Sequence, residues 1–423
     1  MEPRLSVLID FIREKFGLEQ YNLHHHRFSR TIDLFKNTNY TLCTEWYPNH
    51  IDELDVEEEI NPEGTAVIEI DITNYQIKSA IFVGERSFSN QNTFLGLNTS
   101  EIINWVAEHT GLSFNKQFRL IEAEKGRFYF KGCLNGQEVS PFGDIELKYD
   151  HEGKITFFSV HGHFPNIDIK VEDNFTLSLE KIEEMKRNQL KLIDFPSATY
   201  KKLLEIYAVV EEIFIQNDLS ILSCEESNVG KEYLKLDKVI TWKTVLSDHF
   251  ERKEIEMIEE ISEEQAFSGE PHPDLMPISL HEREMCEIAV TNFLRQQYPL
   301  DSGNWTLSEL RRDRGYIHAI LRGSEKKSCV LHRKLLIIID AESQEVLNYL
   351  DNKFMLETFD QYRLPEKIIL SKEEAYGKLK ELFELTPTYV YDDERKQYVL
   401  CGKLDCSYGI NASTGELIVL NDL

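Results

Sequence analysis

The chain has no Cys-x-x-Cys pair, no Gly-x-Ser-x-Gly, no His-Glu-x-x-His and no Gly-rich phosphate loop of either common type. These gaps exclude a zinc ribbon or dithiol redox pair, a nucleophile elbow, a helix-borne two-histidine zinc site and a nucleotide cradle built on those motifs. Basic residues are also few: 47 Lys plus Arg stand against 74 Asp plus Glu, a formal charge of −27. Neither nucleic acid nor an anionic lipid surface is an expected partner for such a chain, since both need a basic face. No window is long and apolar enough to span a bilayer. The start, Met1-Glu-Pro-Arg-Leu-Ser-Val-Leu-Ile-Asp10, lacks a basic segment followed by an apolar run, so a secretory signal is not expected. The expected location is the cytoplasm. Seven cysteines, an odd number scattered over positions 43, 133, 224, 286, 329, 401 and 406, predict reduced and mostly buried thiols. Cys401 and Cys406 flank a short turn and would sit as two core thiols or as a labile disulfide.

What the chain does have is a recurring hairpin. Tyr408-Gly-Ile-Asn411-Ala-Ser-Thr-Gly415-Glu416-Leu-Ile-Val runs apolar strand, tight turn, apolar strand. The design returns at Ile337-Ile-Ile-Asp340-Ala-Glu-Ser-Gln344-Glu345-Val, more loosely around Asp71, and in shorter form at Asp150-His-Glu-Gly153. Asp or Asn can bond the backbone just downstream, and Gly415 can take positive φ for a bulged turn. Gln344 in place of Gly predicts a different turn there.

An amphipathic helix precedes each hairpin. Ser371 caps one with acids in its first turn and an apolar stripe at Ala375, Leu379, Leu382 and Phe383. Ser279 caps a second, Asn98 to Glu108 forms a third, and Leu5 to Phe16 a fourth. At 423 residues the chain exceeds one ordinary core. The predicted fold is α+β: tandem modules of one helix packed on an antiparallel β-meander, in two lobes with a helical middle segment. Residues 1–176 form an N-terminal lobe of two units, about 1–95 and 96–176. Residues 177–277 hold central helices over 179–190 and 200–216, a strand pair around Leu236 and an acidic linker. Residues 278–423 form a C-terminal lobe of two units, about 278–360 and 361–423.

A capped Ser-x-Glu-Glu-Ala helix leading through strands to apolar-x-Asp/Asn-Ala-x-Thr/Ser-Gly-Glu-apolar resembles the PepSY module. The multi-copy arrangement is similar to the YcdB/YcdC-type repeat proteins of bacilli. The match runs best over 370–421 and is looser at Asp340, Asp71 and Asp150. The resemblance implies a non-enzymatic binding or regulatory protein and carries over no catalytic residues and no cofactor. Together with the acidity, it implies a protein or peptide partner, one of basic character.

Two histidine groups are candidate metal sites. His24-His25-His26 cannot all face one ion in regular structure and reads as polar surface near a helix end. His161-Gly-His163 is sharper: continued strand alternation would place both imidazoles on one face as a zinc half-site, with His151 or Asp168 as further ligands. The competing reading is a partly exposed strand end. A metal-dependent hydrolase using His161 and His163, and a structural role through exposed sheet edges, are therefore the alternatives to binding.

Overall fold

In a computed structural model the protein is described over residues 2–51, 61–91, 93–172, 174–198, 200–222, 230–256, 259–324, 332–359 and 361–422. It is α+β, with seven α-helices and several mostly antiparallel sheets among those residues. The chain divides into two compact units. The first comprises residues 1–172, 258–272 and 389–399, and the second 173–257, 273–388 and 400–423.

In the first unit, α1 (Pro3–Phe16) is followed by β1 (Tyr21–Ile32), β2 (Thr38–Pro48), β3 (Ala66–Asp71) and β4 (Ile77–Phe82). Then come α2 (Thr99–Thr110), β5 (Phe118–Glu124), β6 (Arg127–Leu134), β7 (Gln137–Ser140), β8 (Gly143–Tyr149) and β9 (Ile155–Gly162). The two expected helix-plus-meander units are both present, and they fuse. β4 pairs antiparallel with β9, with Ala80 opposite Phe158, which makes one sheet of order β1-β2-β3-β4-β9-β8-β6.

Sequence sets the helix limits. α1 begins on Pro3 at a position whose N–H would be unpaired anyway, and Gly17 at φ 61° caps its end by donating to the Arg13 and Glu14 carbonyls. α2 begins with a reciprocal cap between Asn98 and Glu101. Leu5, Leu8, Ile12 and Phe16 of α1 and Ile102 and Val106 of α2 enter one core with Trp46, Ile68, Phe82, Phe130 and Phe158 of the sheet. Full burial of each such side chain stabilises by about 1.5–3 kcal/mol.

The first unit also takes in later residues. β10 (Val171–Glu172) pairs parallel with Tyr398 and Val399, and the Phe35 and Tyr391 rings meet edge to face at 5.5 Å. A short helix, α4 (Glu263–Ser268), docks through Phe267 against Phe28 and Arg4.

The second unit holds α3 (Glu183–Gln189), β11 (Lys191–Ser197), β12 (Lys202–Ala208), β13 (Ile213–Ile215), β14 (Ile221–Leu222) and β15 (Tyr233–Ile240). α5 (Leu280–Gln297) then leads to β16 (Trp305–Asp313), β17 (Tyr316–Gly323), β18 (Lys334–Asp340) and β19 (Val346–Asp351). α5 lays Cys286, Val290, Phe293 and Leu294 on the sheet β15-β16-β17-β18-β19. After α6 (Lys353–Glu357) and α7 (Lys372–Leu379) come β20 (Glu384–Asp392), β21 (Gln397–Asp405), β22 (Tyr408–Asn411) and β23 (Leu417–Val419). The strands after α7 do not stay together: β22 and β23 extend β11 and β12 into a separate four-stranded sheet.

The middle segment departs from expectation. Residues 200–216, predicted helical, form β12 and β13. The apolar run Leu203 to Val209 fits either period, and β12 is decided by ladders to β11 on one side and β22 on the other. Leu236-Asp237 is a bulge within β15, Asp237 standing at φ 47°, and is not the turn of a strand pair.

Three of the hairpin turns share one geometry, while Asp150 accepts from the Glu152 and Lys154 amides with Gly153 left-handed at φ 79°. The side-chain oxygen of Asp71 accepts from the Thr73 and Asn74 amides, that of Asp340 from Glu342 and Ser343, and that of Asn411 from Ser413 and Thr414. Four residues after each lead position the backbone is left-handed: Tyr75 at φ 61°, Gln344 at 62° and Gly415 at 75°. Gln344 therefore forms the same turn that Gly415 forms, contrary to the sequence expectation. Its local strain, about 1–2 kcal/mol for a residue with a Cβ, is offset by the Asp340 bonds.

Candidate functional site

The expected metal ligands His161 and His163 flank Gly162 at the end of β9. His161 lies on β9, exposed, with Nδ1 3.7 Å from Asp144 Oδ1. Gly162 stands at φ 75°, outside extended geometry, so the alternation needed to bring His163 to the same face stops there. Among the described residues no group of three or more His, Cys, Asp or Glu is placed to hold a metal ion. His24, His25 and His26 are part of β1 and not of a loop; His24 stacks on Tyr47 at 4.0 Å and a bulge follows Leu23. Cys43, Cys133, Cys286, Cys401 and Cys406 are buried and in no disulfide, while Cys224 and Cys329 lie outside the described residues.

The site with chemical character is a cleft of about 480 Å³ in the first unit, lined by the last turns of α1 and α2 and by the connection that precedes α2. That volume suits a small ligand or one or two side chains. Each wall has a local cause. Ser89 Oγ donates to the Phe16 carbonyl at 2.5 Å, and Gln91 Nε2 donates to the Glu14 carbonyl at 2.7 Å, so the connection is tied to the orphan carbonyls at the end of α1. Only glycine fits at 17, because a Cβ there would lie 2.8 Å from Gln91 Cγ on a left-handed backbone. The Phe94 amide donates to the Gly153 carbonyl at 2.9 Å, which seats the Phe94 ring beneath the cleft. Phe94 meets Trp105 edge to face at 4.9 Å and stacks on Tyr149 at 5.1 Å.

His109, on the last turn of α2, is the polar group of this aromatic wall. It is 7 % exposed. Its ring stacks on Trp105 at 4.0 Å, nearly parallel. Nδ1 lies 2.6 Å from the Trp105 carbonyl oxygen. A carbonyl can only accept, so Nδ1 carries the hydrogen and Nε2 is left as a bare acceptor. Nε2 is buried and has no hydrogen-bond partner. The imidazole is held below the usual histidine range, first by burial; the Trp105 bond opposes this, and the nearby Lys15 ammonium adds to it. A helix C-terminus favours imidazolium, and burial outweighs that here. The rim carries Glu14 and Lys15 from α1 and Glu108 from α2.

A second cleft in this unit, about 310 Å³, lies beside Arg4, Tyr40 and Tyr75. The chain's own Ala266 to Gly269 form part of its wall.

Sequence reasoning missed His109. The reading of α2 stopped at Glu108, although Ile102, Trp105, Val106 and His109 follow one stripe at helical spacing. That stripe was the available signal, and a histidine on it reads more simply as core.

No protein-family model matches the chain, and no curated protein matches it. A solved structure, the Bacillus megaterium YpeB C-terminal domain, superposes with a TM-score of 0.24 and 9 % sequence identity, over 82 % of this chain and 96 % of that one. A superposition that loose leaves the architecture to be argued from this chain alone.

Proposed function

We propose that this is a non-enzymatic binding protein of the PepSY-like kind, which engages a protein or peptide partner of basic character through the cleft between α1 and α2. The observation that carries the reading is the make-up of that cleft. Aromatic side chains line its floor, two carboxylates stand against one ammonium at its rim, and a neutral imidazole offers only an acceptor. Aromatic faces and carboxylates attract cations, and an acidic surface speeds the approach of a basic partner. The capped helices and the Asx-led hairpins support the PepSY likeness. Five buried thiols in no disulfide support a reducing compartment, and the cytoplasm is proposed on that ground.

The experiment is a solution titration with short peptides of matched length, basic, neutral and acidic, at about 50 and 150 mM salt. Saturable binding of basic peptides that survives the higher salt supports the reading, since diffuse attraction is screened over roughly 8–10 Å. Absence of saturable binding to any basic peptide at both salts overturns it.

A further inference from the structure

We infer that His109 is the specificity-determining residue of the α1–α2 cleft, and that its unpaired Nε2 accepts a hydrogen bond from the cationic N–H of a lysine or arginine side chain. This deepens the proposed function and rests on it.

Three observations converge. The acceptor exists because the Trp105 carbonyl, 2.6 Å from Nδ1, fixes the tautomer. It is unfilled, because Nε2 is buried without a partner, a state that costs about 1–3 kcal/mol unless a ligand or water completes it. And the residue that carries it lines a cleft of about 480 Å³, so a small shift of the ring or of the wall would bring the buried atom to a ligand there. The sign of the ligand follows from the same atoms. A carboxylate or phosphate oxygen would meet the Nε2 lone pair and be repelled, so Lys15 is not the anchor of an anion site at this wall. A donor N–H is accepted; at the ring itself Lys15 acts more strongly than Glu108, so a cationic ligand gains from the two carboxylates only toward the rim. The aliphatic stem of lysine or arginine would lie along Phe94 and Trp105.

Occupancy then depends on pH through His109. Protonation converts Nε2 from acceptor to donor and adds a positive charge opposite the ligand's own. The charged groups facing it are Glu14 and Lys15 from α1 and Glu108 from its own helix; the connection contributes Ser89, Gln91 and Thr93, all uncharged, and β9 contributes Ile155. The ligand is held at neutral pH and released as acid charges the ring.

The test uses the full chain and N-acetyl, C-methylamide derivatives of lysine, arginine, alanine and glutamate, with short peptides carrying one lysine or arginine, at about 150 mM salt. Affinity is read by calorimetry and by Trp fluorescence. Lysine and arginine probes should bind in preference to alanine and glutamate. His109→Phe, which keeps the stacked ring and removes the acceptor, should lose at least about tenfold in affinity, while His109→Gln, which keeps an acceptor, should restore part of it. Wild-type binding should weaken at least about tenfold from pH 7.5 to 5.5, and the His109→Phe variant should lack that dependence. If basic peptides bind but His109→Phe binds as tightly with the same pH profile, the inference falls and the proposed function stands. If no basic peptide binds, the proposed function falls with it. Preferential binding of the glutamate probe would overturn the inference by sign alone.

Discussion

His109 is a buried imidazole and His318 a part-buried one, in different positions. Each is held below the usual histidine range with burial as the first cause. His318, on β17, has its Nδ1 3.5 Å from Asp313 Oδ2, so a partner charge is already built in at ion-pair distance, although the pair lacks hydrogen-bond geometry. His109 has its Nδ1 fixed by a helix carbonyl and its Nε2 buried without a partner, on a residue that lines a cleft. The lesson is that burial and a perturbed titration do not make a site. Each carries a buried ring nitrogen without a hydrogen bond; His318 does so within a packed sheet, whereas His109 does so on the wall of a cleft.

The contrast can be broken in stages. The largest expected effect comes from Trp105→Ala. It removes the ring between His109, Phe94 and Phe158 and should cost about 3 kcal/mol or more of stability, read as a lowered urea midpoint, with loss of cleft binding. Next, His109→Phe should weaken basic-peptide binding at least about tenfold, whereas His318→Phe should leave it unchanged. Equal losses in both variants would erase the distinction.

A third effect is the acid dependence of stability. Both imidazoles have folded values below the unfolded value near 6.5, so their contribution is fully present above about pH 6.5 and declines as pH falls below it toward the folded values. The slope is at most about 1.4 kcal/mol per pH unit per histidine in that window. Urea midpoints across pH should therefore flatten in the His109→Phe, His318→Phe double variant relative to wild type. The smallest effect is Glu108→Gln. It should weaken cationic ligands about two- to fivefold, with the difference shrinking as salt rises, because the carboxylate is exposed.

Much of the fold was legible because local chemistry dictates it. Ser279, Ser371 and Asn98 cap helices where the sequence places them, and Asp71, Asp340 and Asn411 lead the turns they were expected to lead. What was not legible depends on distant pairing. Nothing in Ala80 or Phe158 announces that β4 will join β9, and β12 is a strand because β11 and β22 lie beside it. A further Asx-led turn, Asp392 bonding the Glu394 and Arg395 amides with Lys396 at φ 52°, has the same chemistry without the glycine that drew attention elsewhere. The candidate site was illegible for a related reason. Its cleft exists because two helices from two fused modules end side by side, and the one residue that gives it polarity looks, in sequence, like another core position. His161 and His163 flank the left-handed Gly162, a departure from the strand alternation that their spacing suggested.

The most direct test of the central claim is long-range proton–nitrogen NMR of the histidine-labelled protein at pH 7.5, with and without a single-lysine peptide. The account predicts a neutral His109 with hydrogen on Nδ1 and an unprotonated Nε2 whose resonance moves on peptide addition, while His318 stays in place. A His109 that carries its hydrogen on Nε2, or that is charged at this pH, or whose Nε2 is unmoved by a saturating peptide, would contradict it.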